Sequence, residues 1–156
     1  MQWLCLKFNE LSTIQLYQLL KLRVDVFVVE QNCPYPELDN KDLHQDTYHL
    51  LAYENEQLVA CARLLGPGIS YPQVSIGRIA TAHNRRQNGL GKQLLTQALS
   101  KCDQYWPKQD IQIGAQVYLV EFYQSMGFKR YSQDYLEDGI AHLDMLLQKL
   151  RDDEVL

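Results

Sequence analysis

Ile76-Gly77-Arg78-Ile79-Ala80-Thr81-Ala82-His83-Asn84-Arg85-Arg86-Gln87-Asn88-Gly89-Leu90-Gly91-Lys92-Gln93-Leu94-Leu95 reads as a strand, a turn and the first turns of a helix. After the turn, apolar residues recur at Leu90, Leu94, Leu95, Ala98, Leu99 and Cys102, a spacing that places them on one helix face. The glycines therefore fall where the helix begins. Unbonded backbone N–H groups cluster at a helix start and the macrodipole adds partial positive charge, so Gly89 and Gly91 allow a phosphate close approach. Arg85, Arg86 and Lys92 add formal charge beside them.

Register separates the glycine-rich loops. A Walker loop requires Gly at position 86 and Ser or Thr at 93, where the chain has Arg86 and Gln93. The dinucleotide fingerprint requires a third Gly at 94, which is Leu94. The remaining pattern, Arg86-x-x-Gly89-x-Gly91, resembles the pyrophosphate loop of the GNAT acyl-CoA N-acetyltransferases. Without a family, the same glycines also suit a plain tight strand-to-helix turn flanked by solvated arginines.

With 156 residues the chain fits one domain, residues 1–150, followed by a short acidic tail, 151–156. Hydrophobic residues are 46% and charged residues 22%, ordinary globular values, and no apolar run is long enough to span a bilayer. A net charge of −4 and a pI near 5.5 argue against a nucleic-acid surface. The start, Met1-Gln2-Trp3-Leu4-Cys5, lacks the regions of a secretory signal, and Cys5, Cys33, Cys61 and Cys102 are scattered without a Cys-x-x-Cys pair. A cytoplasmic protein with reduced thiols and no metal site is expected.

Along the chain, residues 2–8 suggest a strand, and Ser12 with Gln15 forms a capping-box pattern. A helix is expected from there to about Val28, with Leu16, Leu20, Val24, Phe27 and Val28 inside and Arg23 and Asp25 on other faces. Residues 30–46 contain two prolines and no clean period, so a long loop follows. Glu30, Glu37, Asp39, Asp42 and Asp46 against the single base Lys41 give this loop a charge equal to that of the whole chain. It either attracts a cationic amine or is a solvated charged loop. Residues 48–54 and 58–65 read as a hairpin, 74–82 as the strand feeding the turn, and the helix from Gly89 stops before Trp106-Pro107. A short strand at 111–115, a helix over 116–126 ending at Gly127, a strand start at 128–131, a turn at Glu137-Asp138-Gly139 and a last strand through Leu143, Met145 and Leu147 complete the chain.

This order of elements gives an α/β fold, a mixed central sheet flanked by helices, and matches the GNAT acyl-CoA N-acyltransferase fold. Phe122-Tyr123-Gln124-Ser125-Met126-Gly127-Phe128 resembles the family's late helix-to-strand segment. The resemblance is closer to the ElaA-like branch, through Phe27-Val28-Val29-Glu30-Gln31-Asn32-Cys33-Pro34-Tyr35, Gly77-Arg78, Gly114-Ala115-Gln116 and Glu137-Asp138-Gly139-Ile140 with His142. It implies an acetyl-CoA-dependent transferase, with acetyl-CoA as co-substrate; the acceptor does not follow from the resemblance, and an amine of a small molecule or peptide is the expectation. The backbone of Ile79, Ala80 and Thr81 would bind the acetyl and pantetheine arm. Arg86, Gln87, Asn88, Gly89, Leu90, Gly91 and Lys92 would hold the pyrophosphate.

Acetyl transfer needs a neutral amine, donors for a developing oxyanion and a proton for the leaving thiolate. Tyr123 matches the family's general-acid tyrosine; packing beside Phe122 is the alternative role for its ring. Many relatives carry a carboxylate on the strand before the loop, where this chain has Ser75, Gly77 and Arg78. Glu30, His49 and His142 stand as candidates for base or acceptor site, and an already neutral amine would need none. Arg78, Glu30 and Asp39 are substrate-binding candidates, with an Arg78 ion pair to the acidic loop as the alternative. Cys33 as a transient acetyl carrier ranks below direct attack, since no base stands beside it in sequence. A non-catalytic acyl-CoA-binding module and a protein-interaction domain remain competing classes, and the oligomeric state is open, a homodimer included.

Overall fold

In the computed structural model the described residues are 1–86 and 88–149, so Gln87 and the expected tail 151–156 lie outside them. Eight strands form one sheet: β1 (Gln2–Leu6), β2 (Thr47–Glu54), β3 (Gln57–Leu65), β4 (Val74–Thr81), β5 (Ile111–Gln116), β6 (Lys129–Arg130), β7 (Tyr135–Glu137) and β8 (Ile140–Leu147). Their order is β1-β2-β3-β4-β5-β8-β6, with β7 also paired to β8. Only β4 and β5 run parallel, because helix α2 (Leu90–Tyr105) carries the chain over the sheet between them. The short β7 was not anticipated from sequence.

Two apolar layers sandwich the sheet. On one face, Leu90, Leu94, Leu95, Ala98 and Cys102 of α2 and Val120 and Tyr123 of α3 (Val120–Ser125) pack on Leu50, Val74, Ile113, Leu143 and Met145. On the other, Leu19, Leu22 and Val26 pack on Leu51, Cys61 and Ala80. That second helix, α1 (Thr13–Val24), starts at the expected capping box, in which Ser12 accepts from the Gln15 amide and Gln15 from the Ser12 amide.

The expected inner face of α1 is wrong by about one position. Arg23 is 1% exposed whereas Val24 is exposed, and past Val24 the chain widens into a π-helical turn, Asp25–Glu30. The physical reason lies in the acidic loop. It folds back over the sheet, and its carboxylates make burial of a guanidinium favourable where apolar periodicity alone puts it in water.

The helix expected over 116–126 is split into a 3-10 turn, Val117–Leu119, and the short α3. Its end is as anticipated: the Phe128 amide bonds to the Tyr123 carbonyl and the Gly127 amide to Gln124, a Schellman closure.

Candidate active site

β4 and β5 share only two register pairs, Val74 with Ile111 and Ser75 with Gln112. Beyond Ser75 the strands part, so the β5-facing edge of β4 from Ile76 onward is free of ladder partners on that side, while β3 continues to pair its other edge through Thr81. A bulge helps to open the wedge. Cys61 and Arg63 oppose Ala80 and Gly77, so β4 carries one residue more than β3, and Arg78 takes a left-handed φ of 48° to absorb it. Ligands of parallel sheets sit at the carboxyl ends of strands, where neighbouring strands diverge.

Helix α2 begins at this same end. Unlike α1 it has no side-chain cap: its N-cap is Gly89, with φ of 75° and no side-chain acceptor. Its first intrahelical bond inside the turn runs from the Gln93 amide to the Gly89 carbonyl, 3.1 Å, so the preceding amides have no intrahelical partner. A Cβ added to Gly91 would meet no protein atom within 4 Å, so intramolecular packing does not require the missing side chain there. The backbone there is open to approach from outside.

Of the basic residues at the turn, Arg85 is committed to Glu54 on β2. Arg86 folds back across the turn, with its guanidinium on the Thr81 carbonyl at 3.2 Å and on the Glu30 carboxylate at 2.9 Å. Glu30, a base, acceptor-site and substrate-binding candidate from sequence, thus stands beside the turn that opens α2. Lys92 is exposed on the first turn of α2.

Tyr123 is 6% exposed and stands edge-on to Phe122 and Phe128. Burial, with Tyr118 adding to it, pushes its phenol up to about 12, so it is protonated at neutral pH. Its ring packs as expected, and its phenol carries a proton.

The two histidines differ. His49 is 1% exposed on β2, two strands from the wedge, its Nε2 3.2 Å from the Asp42 carbonyl, and burial lowers its pKa despite that bond. His142 is directly opposite Gln116 at the wedge end of β5. Its Nδ1 lies 2.7 Å from the Ile140 carbonyl, a contact only an N–H can make favourably, so Nε2 keeps the lone pair in the neutral ring. Nε2 faces Glu137 at 3.5 Å and the ring stacks on Tyr135.

Three of the acidic loop's five carboxylates are tied to arginines, while Glu30 and Asp46 are exposed. Arg23 binds Glu37 at 2.7 Å and Asp42 at 2.8 Å; Arg63 binds Asp39 at 2.8 Å and Asp42 at 3.1 Å; Arg78 binds Glu37 at 2.8 Å and Asp39 at 3.4 Å. Three guanidinium charges meet three carboxylates. Asp39 and Arg78, both substrate-binding candidates, are held to each other, the ion pair weighed as the alternative role of Arg78. Burial alone raises the Asp39 carboxyl, but the Arg63 hydrogen bonds and the Arg63 and Arg78 charges prevail and hold it down at about 2. All four cysteines are unpaired, and the buried Cys33 thiol donates to the Asp138 carbonyl at 3.5 Å. Among the described residues no helix is long and apolar enough to cross a membrane.

A parallel pair that parts beside an uncapped, glycine-started helix, within one mixed sheet, defines the class of acyl-CoA N-acyltransferase folds. The comparisons narrow it. Residues 21–149 match the model of the acetyltransferase (GNAT) domain. Protein ElaA of Escherichia coli is 44% identical over 144 residues, 92% of this chain and 94% of that protein. Its crystal structure superposes with a TM-score of 0.89, covering 94% of this chain and 99% of that one. An acyl-CoA N-acyltransferase from Pseudomonas aeruginosa superposes with the same TM-score at 41% identity, over 94% of this chain and 99% of that one. The chain belongs to the GNAT acetyltransferase family, among the relatives of ElaA.

Proposed function

We propose that the protein is an N-acetyltransferase that moves an acetyl group from acetyl-CoA to an amine by direct attack, in a cytoplasmic setting to which four free thiols are suited. The observation that carries this reading is the parting of β4 from β5 after two pairs, at the end where α2 begins uncapped.

Acetyl-CoA supplies the activated carbonyl and a thiolate leaving group. The amides opening α2, from Asn88 through Lys92, bind the pyrophosphate together with Arg86 and the undescribed Gln87. The free edge of β4 at Ile79, Ala80 and Thr81 offers backbone partners for the amide-bearing arm. Tyr123 donates the proton the thiolate needs. Among the base candidates, His142 has an available Nε2 at the wedge end of β5, whereas Glu30 is paired with Arg86 and His49 lies two strands away. Glu137 lies 3.5 Å from that Nε2.

Calorimetric titration of the wild type and Gly91→Val with CoA tests the cofactor half, because a Cβ at this position stands in open space beyond its own helix backbone and neighbours, and circular dichroism checks that the variant is folded. Binding by the wild type, weakened at least about tenfold in the folded variant, is expected. Equal affinity of the two proteins refutes the phosphate turn. Amine-dependent thiol release from acetyl-CoA tests the transfer half.

A further inference from the structure

One carboxylate beside the wedge escapes the arginine network. Asp144 on β8 is paired in register with Gly114 on β5, two residues past the last β4–β5 pair. Alternation along β5 buries Ile111, Ile113 and Ala115 under α2 and α3 and turns Gly114 to the α1 side. Gly114 is exposed, and its φ is not in the left-handed region, so backbone freedom is not what the glycine provides. A Cβ there would stand 3.2 Å from the Tyr135 hydroxyl, 3.3 Å from the Tyr71 hydroxyl and 3.9 Å from Asp144 Oδ1. Two phenols from distant parts of the chain therefore converge over a bare strand backbone next to a carboxylate.

Asp144 is half-buried, and among the described residues its side chain is met by neutral donors, the Tyr71 hydroxyl included. Oδ1 accepts from the Tyr135 hydroxyl at 2.7 Å and Oδ2 from the Gln112 amide at 3.2 Å. No ion pair among the described residues reaches it. A carboxylate offers about four acceptor positions, so this one retains capacity for a cation. On the same face Arg23, Arg63 and Arg78 are balanced by Glu37, Asp39 and Asp42, so none of these three guanidiniums is left over for an anionic group on an acceptor, and Lys41 is held by the Ser70 hydroxyl at 2.7 Å.

We propose that Asp144, braced by Tyr135 and Gln112 and flanked by Tyr71, binds the ammonium group of the acceptor over Gly114, and that the site takes primary amines whose nitrogen-bearing carbon carries no carboxylate. This names the acceptor class for the acetyltransferase reading and rests on it. Burial and the nearby Asp144 and Glu137 carboxylates push the Tyr71 phenol up to about 12, so it stays a neutral hydroxyl beside the ammonium.

The matched probes are n-pentylamine and norleucine, which differ by the carboxylate. With CoA-saturated wild type, n-pentylamine shifts the Gly114 and Asp144 amide resonances, and norleucine binds at least about tenfold more weakly. Asp144→Asn weakens n-pentylamine at least about tenfold while the Kd for CoA changes less than twofold, which also reports that the variant is folded. Tyr135→Phe, which removes one brace and keeps the ring, gives an intermediate loss. In thiol-release assays the Asp144→Asn loss falls on the amine KM rather than on kcat. Absence of shifts at Gly114, equal binding of the two probes, or amine affinity unchanged in Asp144→Asn overturns the site. Binding of n-pentylamine through Asp144 with no thiol release from acetyl-CoA leaves the site standing and overturns the acetyltransferase reading.

Discussion

Two acidic regions face the α1 side of the sheet and are used in opposite ways. The loop 30–46 holds five of the chain's acids, yet Glu37, Asp39 and Asp42 are neutralised by Arg23, Arg63 and Arg78. The ribbon of β7 and β8 holds fewer, yet among the described residues its Asp144 is met by neutral groups. Charge density along a sequence is therefore a poor guide to where a cation binds. The deciding quantity is which carboxylates the fold leaves without a counter-ion.

The largest effect expected from this contrast is on stability. Removing Arg23 leaves Glu37 and Asp42 buried and short of their partner, and breaking a buried pair from one side costs about 3–5 kcal/mol. Arg23→Met should lower the urea midpoint accordingly, while the amine KM of the fraction that remains folded is unchanged. A shift in that KM with unchanged stability would reverse the roles assigned to loop and ribbon.

On the chemical side, Tyr123→Phe keeps the edge-on contacts with Phe122 and Phe128 and removes only the hydroxyl. Loss of a general acid costs about 100-fold or more in kcat. The Kd for CoA should stay within about twofold; an unchanged kcat would leave Tyr123 a packing residue.

The loop network also predicts the response to acid. The Asp39 carboxyl is held at about 2 in the folded protein against an ordinary 3.8, so its ion pairs contribute in full above pH 4 and are lost as pH falls toward 2. Asp42 is depressed as well; burial opposes this and the Arg23 and Arg63 guanidiniums prevail. Thermal melting between pH 5 and pH 2 should show a steep loss that is smaller in Asp39→Asn, because that variant has already forfeited part of it.

Much of this was legible in the chain before folding. The strand–turn–helix of residues 76–95, the hairpin after Tyr48 and the Ser12–Gln15 box are local signals, written in period and in neighbouring residues, and the fold keeps all three. Arg23 was misplaced because helical periodicity sees only its own turn, whereas its burial depends on carboxylates far along the chain. The Asp144 site was invisible for the same reason. Tyr71, Gln112, Tyr135 and Asp144 belong to four separate segments, and only the register that sets Gly114 against Asp144 brings them together.

Glu30 is the acid that tests the boundary between the two uses of charge. It lies at the end of the π-helical turn, and its partner Arg86 is the loop arginine assigned to a ligand phosphate. A guanidinium that holds a carboxylate bidentately gives part of that interaction up, or shares it, when a phosphate arrives, and half-exposed pairs of this kind are worth about 0.2–1 kcal/mol. Glu30→Gln should therefore tighten CoA binding by about twofold to fivefold in calorimetry at low salt, with less gain at high salt as screening weakens both charges. Weaker binding in Glu30→Gln would mean that the carboxylate aims Arg86 at the phosphate rather than competing with it, and Glu30 would then belong to the binding machinery rather than to the neutralised loop.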